Sequence, residues 1–143
     1  MNDTNKQVEK NVAEHIMHGF TQLLLERKLD QWAELFAAKA VFEFPYSPAG
    51  YPQQLNGSAA ISEHIHTLFE QMEIQEFSEP VIMASQDTNQ FVAEFTCKGR
   101  SLVTNKPYHQ AYISVVTYDD NGKITHYKDY WNPLVVLESI ETE

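Results

Sequence analysis

A chain of 143 residues with 43% hydrophobic and 21% charged residues has the make-up of one globular domain with a real core. Its formal charge of −10 argues against nucleic-acid partners and anionic membrane surfaces, both of which call for basic patches. A single cysteine, Cys97, excludes an internal disulfide and any cysteine-based metal site.

Residues 1–6 read as a frayed tail without the apolar core of a secretory leader. No apolar run approaches a membrane span, so the cytoplasm is the expected compartment. From Val8, apolar residues recur at Val12, Ile16, Phe20, Leu23 and Leu24, in steps that predict an amphipathic helix to about Lys28. Asp30 is placed to cap a short second helix with Trp32, Leu35 and Phe36 on its buried side. Ala40–Phe44 predicts a strand that Pro45 ends. The stretch from Tyr46 to Gly57, rich in proline, glycine and tyrosine, predicts a long loop that either borders a binding site or simply crosses the surface. Ser58 is a good cap for a third helix, whose inner face carries Ile61, His64, Ile65, Leu68 and Met72, while His66 points elsewhere.

Four strand-like stretches follow, at about 74–85, 91–102, 108–118 and 123–132, separated by turn signals. On the third, Tyr108, Gln110 and Tyr112 alternate with His109, and only one of these sets can face a cavity. The Asn121-Gly122 pair predicts a hairpin with positive φ at both central residues. Beyond it, period two puts Thr125, Tyr127, Asp129 and Trp131 on one face and Ile124, His126, Lys128 and Tyr130 on the other. Pro133 ends that ladder. The expected fold is α+β: a cone-shaped, curved antiparallel sheet closed by three N-terminal helices, all within residues 1–143. Both sheet faces carry large apolar groups, so a homodimer is expected to cover the outer one.

The order of elements resembles the SnoaL-like branch of the nuclear transport factor 2-like superfamily. Carrying the resemblance are Leu29-Asp30-x-Trp32-x-x-Leu35-Phe36, the Gly57-x-x-x-Ile61 helix start, and Asn121-Gly122-Lys123-Ile124 leading into Asp129-Tyr130-Trp131-Asn132-Pro133. It spans about residues 8–137. Within that superfamily, Gln86-Asp87-x-Asn89-Gln90-Phe91-Val92-x-Glu94 and Lys128–Pro133 look most like the phenazine-biosynthesis A/B-type proteins. The resemblance implies an acid/base role for Asp129, where that group carries a glutamate, and matches a helix histidine with His64. Leu68 stands where the group has a pocket serine, and its pocket arginine has no clear counterpart. The ketosteroid isomerase pattern is not reproduced, because Phe44 and Thr21 occupy the positions of its aspartate base and helix tyrosine.

Asp129 between Tyr127 and Trp131 would be desolvated, which raises a carboxyl pKa and suits proton transfer near neutral pH. The alternative is a structural ion pair with Arg100 or Lys128. His64 is either an assisting group or a satisfied core histidine. Phe20, Phe44, Tyr46, Tyr51, Leu68, Gln110, Tyr112, Tyr127 and Trp131 are the candidate ligand-binding residues. The six histidines lack chelate spacing, no phosphate loop occurs, and neither a metal nor a cofactor is expected. The reading is a small-molecule pocket protein for an apolar cyclic carbonyl compound, acting by isomerisation, cyclisation or dehydration. Its alternative is a carrier that binds such a ligand without turnover.

Overall fold

The computed structural model describes residues 2–140, with side chains described from Lys10 onward. The first helix, α1, runs from Asn2 to Leu25, so residues 2–6 continue the helix instead of forming the expected tail. Ala13, Ile16, Met17, Phe20 and Leu24 are all buried, as the apolar spacing requires. The helix stops three residues earlier than the apolar pattern suggests. Arg27, at φ 58°, reverses the chain while Arg27 N–H donates to the Leu24 carbonyl and Lys28 N–H to the Leu23 carbonyl. These crossed bonds form the usual left-handed helix stop, here made without glycine. Arg27 also donates through Nη2 to the Phe69 carbonyl at 2.6 Å and lies 4.9 Å over the Phe69 ring, contacts that offset its backbone strain.

Helix α2 (Leu29–Ala33) has Lys28 at its N-cap, so Asp30 lies in its first turn and is not the cap. Phe36 belongs to the following strand, β1 (Phe36–Glu43), and not to the helix. A short β2 (Gln54–Asn56) leads to Gly57, whose φ of 93° turns the chain into α3 (Ser58–Gln71). Gly57, not Ser58, is the cap residue. The expected strand over 74–85 is two strands, β3 (Met72–Phe77) and β4 (Val81–Ala84), parted by Ser78-Glu79-Pro80. Pro80 cannot donate to a ladder. Both pieces pair with β5 (Gln90–Ser101), which pairs in turn with β6 (Pro107–Tyr118).

Strand β7 (Ile124–Trp131) lies between β6 and β1 in the order β2-β1-β7-β6-β5-β3. Its pairing with β1 is parallel, so the sheet is mixed and not purely antiparallel. A fourth helix, α4 (Pro133–Ile140), follows, so the closing helices are not all N-terminal. The turn before β7 also differs from expectation. Only Gly122 has positive φ, while Asp119 Oδ1 accepts the N–H groups of Asn121 and Lys123. The register with β6 skips Thr125, pairing Thr117 with His126 and Tyr118 with Ile124. That bulge lets Ile124 and Tyr127 both be fully buried, and strict alternation resumes only beyond it.

Candidate active site

On β7, a central strand, Tyr127 anchors the stretch that carries Asp129. Its ring is stacked between Phe20 at 5.0 Å and Phe42 at 4.6 Å. Its hydroxyl pairs with Ser114 Oγ at 2.6 Å. Tyr127 is thus a core residue beneath the site and does not line the cavity. A fully buried phenol needs a partner, and Ser114 supplies it.

Above this floor lies a cavity of two adjoining chambers. The inner one has a volume of about 90 Å³ and is walled by Phe20, Trp32, Phe42, Ile61, Phe69 and Phe95 among others. The outer one, of about 150 Å³, reaches Ser47, Tyr51, Pro52, Trp131 and Val136. Phe44, His64, Leu68, Met72, Tyr108, Tyr112 and Asp129 belong to both walls and mark the junction. Neither wall contains a lysine or arginine.

The Asp129 carboxyl has no hydrogen bond or ion pair among the described residues. Arg100, a suggested partner, donates instead to Glu73 at 2.9 Å and to Asn105 at 2.6 Å. Enclosure in protein, with only cavity surface left open to it, pushes the Asp129 pKa up to about 8. Burial holds the His64 pKa below its ordinary value, so its imidazole stays neutral. Its ring lies 5.3 Å from that of Phe44. Tyr108 and Tyr112 face each other with hydroxyl oxygens 3.4 Å apart, and Cys97 Sγ lies 3.7 Å from the Tyr112 hydroxyl. Desolvation pushes the Tyr108 pKa up to about 12, raises that of Tyr112 well above its ordinary value, and raises the Cys97 thiol as well. All three are protonated donors at neutral pH.

Several expected site residues take other positions. Tyr46 is 60% exposed and packs edge-on against Tyr130, because the turn after Pro45 carries it off the inner face. Gln110 shares the face of Tyr108 and Tyr112 but does not line the cavity. Its Nε2 donates to the Asn132 carbonyl, and its Oε1 accepts the Asn132 N–H at 2.9 Å. That bidentate clamp holds the start of α4. His109 is exposed on the opposite face. Tyr51 and Trp131 line the outer chamber, Phe20 the inner, and Phe44, Leu68 and Tyr112 both. Tyr108 and Trp32, absent from the expected set, are lining residues. The shared phase of Tyr108 with Tyr112 was the signal for the first, whereas only tertiary packing places the second. Among the described residues, no group of three or more histidine, cysteine, aspartate or glutamate side chains could hold a metal.

A curved sheet closed by helices around an apolar pocket defines the nuclear transport factor 2-like class of fold. The chain belongs to the SnoaL-like family, matching the SnoaL-like domain over residues 17–127. That match ends two residues before Asp129. The chain is 43% identical over 123 residues to the uncharacterized protein YesE of Bacillus subtilis (strain 168), covering 86% of this chain and 83% of that one. It is 32% identical over 130 residues to an uncharacterized PhzA/B-like protein, PA3332, of Pseudomonas aeruginosa, covering 91% and 90%. A crystal structure from Bacillus subtilis, provisionally assigned as an isomerase, superposes with a TM-score of 0.90 at 41% identity, covering 94% of this chain and 96% of that one. Among the described residues no helix is long and apolar enough to cross a membrane.

Proposed function

We propose that the cavity binds an uncharged cyclic carbonyl compound and catalyses proton transfer at the carbon next to its carbonyl. The observation that carries this reading is Asp129: a carboxyl group without a partner, enclosed, and opening on an apolar cavity beside His64. A pKa of about 8 leaves roughly a tenth of the molecules ionised at pH 7, so the group can both accept and return a proton. In an isomerisation, the carboxylate takes a proton from the α-carbon as the electron pair moves into an enolate. The hydroxyls of Tyr108 and Tyr112 donate hydrogen bonds to the enolate oxygen. The Asp129 carboxylic acid then returns its proton to a different carbon, and the enzyme is restored. A wall without fixed cations favours a neutral ligand over a phosphate or carboxylate.

Exchange of α-hydrogens in D₂O, followed by proton NMR on simple cyclohexanones, tests this without knowledge of the natural substrate. Enzyme-dependent exchange is the expected result. Saturable binding without exchange would instead assign the protein as a carrier, and neither binding nor exchange would exclude both.

A second copy of the chain is part of this reading. On the outer sheet face, strand register sets Met83, Val92, Val115 and Lys128 in one row and Val81, Glu94, Ile113 and Tyr130 in the next, an apolar patch with one acidic and one basic residue in it. Val81, Met83 and Ile113 are 60%, 53% and 44% exposed in the single chain. A patch of this kind is characteristic of an interface. Sedimentation at micromolar concentration is expected to give a dimer, and Ile113→Glu a monomer. A wild-type monomer under the same conditions would contradict this.

A further inference from the structure

The two chambers differ in what their walls offer a ligand. Apart from Trp32, the inner-wall side chains that carry nitrogen or oxygen are His64, Tyr108, Tyr112 and Asp129, and all four also lie on the outer wall. Polar side chains are therefore gathered at the junction. Beyond it, the inner chamber presents carbon, from Phe20, Ile61, Phe69 and Phe95 among others. Trp32 does not change this, because its Nε1 is buried too deeply for a water molecule to touch. An oxygen or a charge placed in the inner chamber would lose its water and gain no partner in return.

Size sets a second limit. A cavity of about 150 Å³ takes a benzene-sized ring, or roughly 25 Å³ for each carbon. The outer chamber has that volume. By the same measure the inner chamber, at about 90 Å³, holds roughly three or four carbons and no second ring. The junction sets a third limit. Asp129 lies there, so the reacting carbon of a ring in the outer chamber must lie there too. An arm that enters the inner chamber passes the same point. Both conditions are met when the arm leaves from the carbon next to the carbonyl, and neither can be met together when it leaves from the far side of the ring.

We propose that the ligand is a cyclohexanone-type ring bearing an alkyl arm of roughly three or four carbons on the carbon next to its carbonyl, with the ring in the outer chamber and the arm in the inner. This rests on the small-molecule reading above and adds to it the arm's chemistry, length and point of attachment.

Calorimetric titration with cyclohexanone and its 2-methyl, 2-propyl and 2-hexyl derivatives tests it, with 4-propylcyclohexanone as an equally apolar control. Affinity is expected to rise about fourfold per methylene from methyl to propyl and to rise no further at hexyl. The 2-propyl ketone is expected to bind about tenfold tighter than the 4-propyl one, the scale of one hydrogen bond at the junction. Ile61→Phe, which fills the inner chamber, is expected to abolish the propyl advantage while cyclohexanone binds as before. In the wild type, nuclear Overhauser contacts from the propyl methyl are expected to Ile61 and Phe69 and not to Val136 of the outer wall, a readout independent of whether the variant folds. Affinity that keeps rising to hexyl, equal binding of the two propyl isomers, or methyl contacts with Val136 would overturn the arm assignment and leave the pocket reading intact. Binding of none of these ketones would overturn both.

Discussion

Replacing Asp129 by asparagine is expected to lower α-hydrogen exchange by roughly 10²–10⁴-fold, the usual contribution of a general acid/base, while leaving ketone binding in place. The same variant is expected to change how stability depends on pH. The native carboxyl titrates near 8, well above its ordinary value of 3.8. Between these values the native state holds a proton that the unfolded chain has released. Stability therefore falls as pH rises from about 4 to about 8, by at most about 1.4 kcal/mol per pH unit from this group, and levels off above. A side-chain amide cannot ionise, so in Asp129→Asn this slope disappears and the variant gains on the wild type as pH rises. His64 acts in the opposite sense. Its native pKa lies below 6.5, so stability is lost as pH falls from 6.5 through the lowered value. Urea titrations of both proteins at pH 5 and pH 8 separate the two. A variant less stable than wild type at pH 8 would mean that Asp129 is a structural anion after all.

The second large effect concerns Gly99, which is buried in β5. A Cβ at this position would lie 2.3 Å from the Glu73 carbonyl oxygen and 3.2 Å from Ile74 Cα. These are backbone atoms of β3, beside the register shift between Ile74 and Glu76, and they cannot yield as a side-chain tip would. Gly99→Ala is expected to cost roughly 3 kcal/mol or more, at the upper end of overpacking effects. By contrast, a Cβ at Gly19 on α1 meets only Leu35 Cδ2 at an ordinary 3.6 Å. Gly19→Ala is expected to be neutral or stabilising, by up to about 1 kcal/mol, because alanine favours the helix. Denaturant midpoints for the pair check both signs, and equal midpoints would contradict the account of the β3–β5 junction.

Much of the site could be read from local sequence because period two survives where it matters. Tyr127, Asp129 and Trp131 share the inward side of β7, and His64 falls on the inner face of α3 by helical spacing. What remained hidden depends on contacts between distant segments. The parallel pairing of β1 with β7 joins strands some eighty residues apart, and no local pattern encodes it. The Thr125 bulge breaks the alternation without any glycine to signal it. Gln110 was legible as inward but not as a clamp, since its partner is the backbone of Asn132. Tyr46 looked like a lining residue by composition, yet the turn after Pro45 carries it to the outer side of Tyr130. Trp32 read as plain core, because only the assembled fold sets its ring against a cavity.

Asp129 is expected to be a neutral acid facing an apolar cavity at physiological pH, and a titration of its side-chain carboxyl carbon by NMR with ¹³C-labelled aspartate, assigned by loss of the signal in Asp129→Asn, reads that state without intermediaries. A midpoint near 8 is expected, with the group mostly protonated at pH 7. A midpoint near the ordinary carboxylate value of about 4 would contradict it.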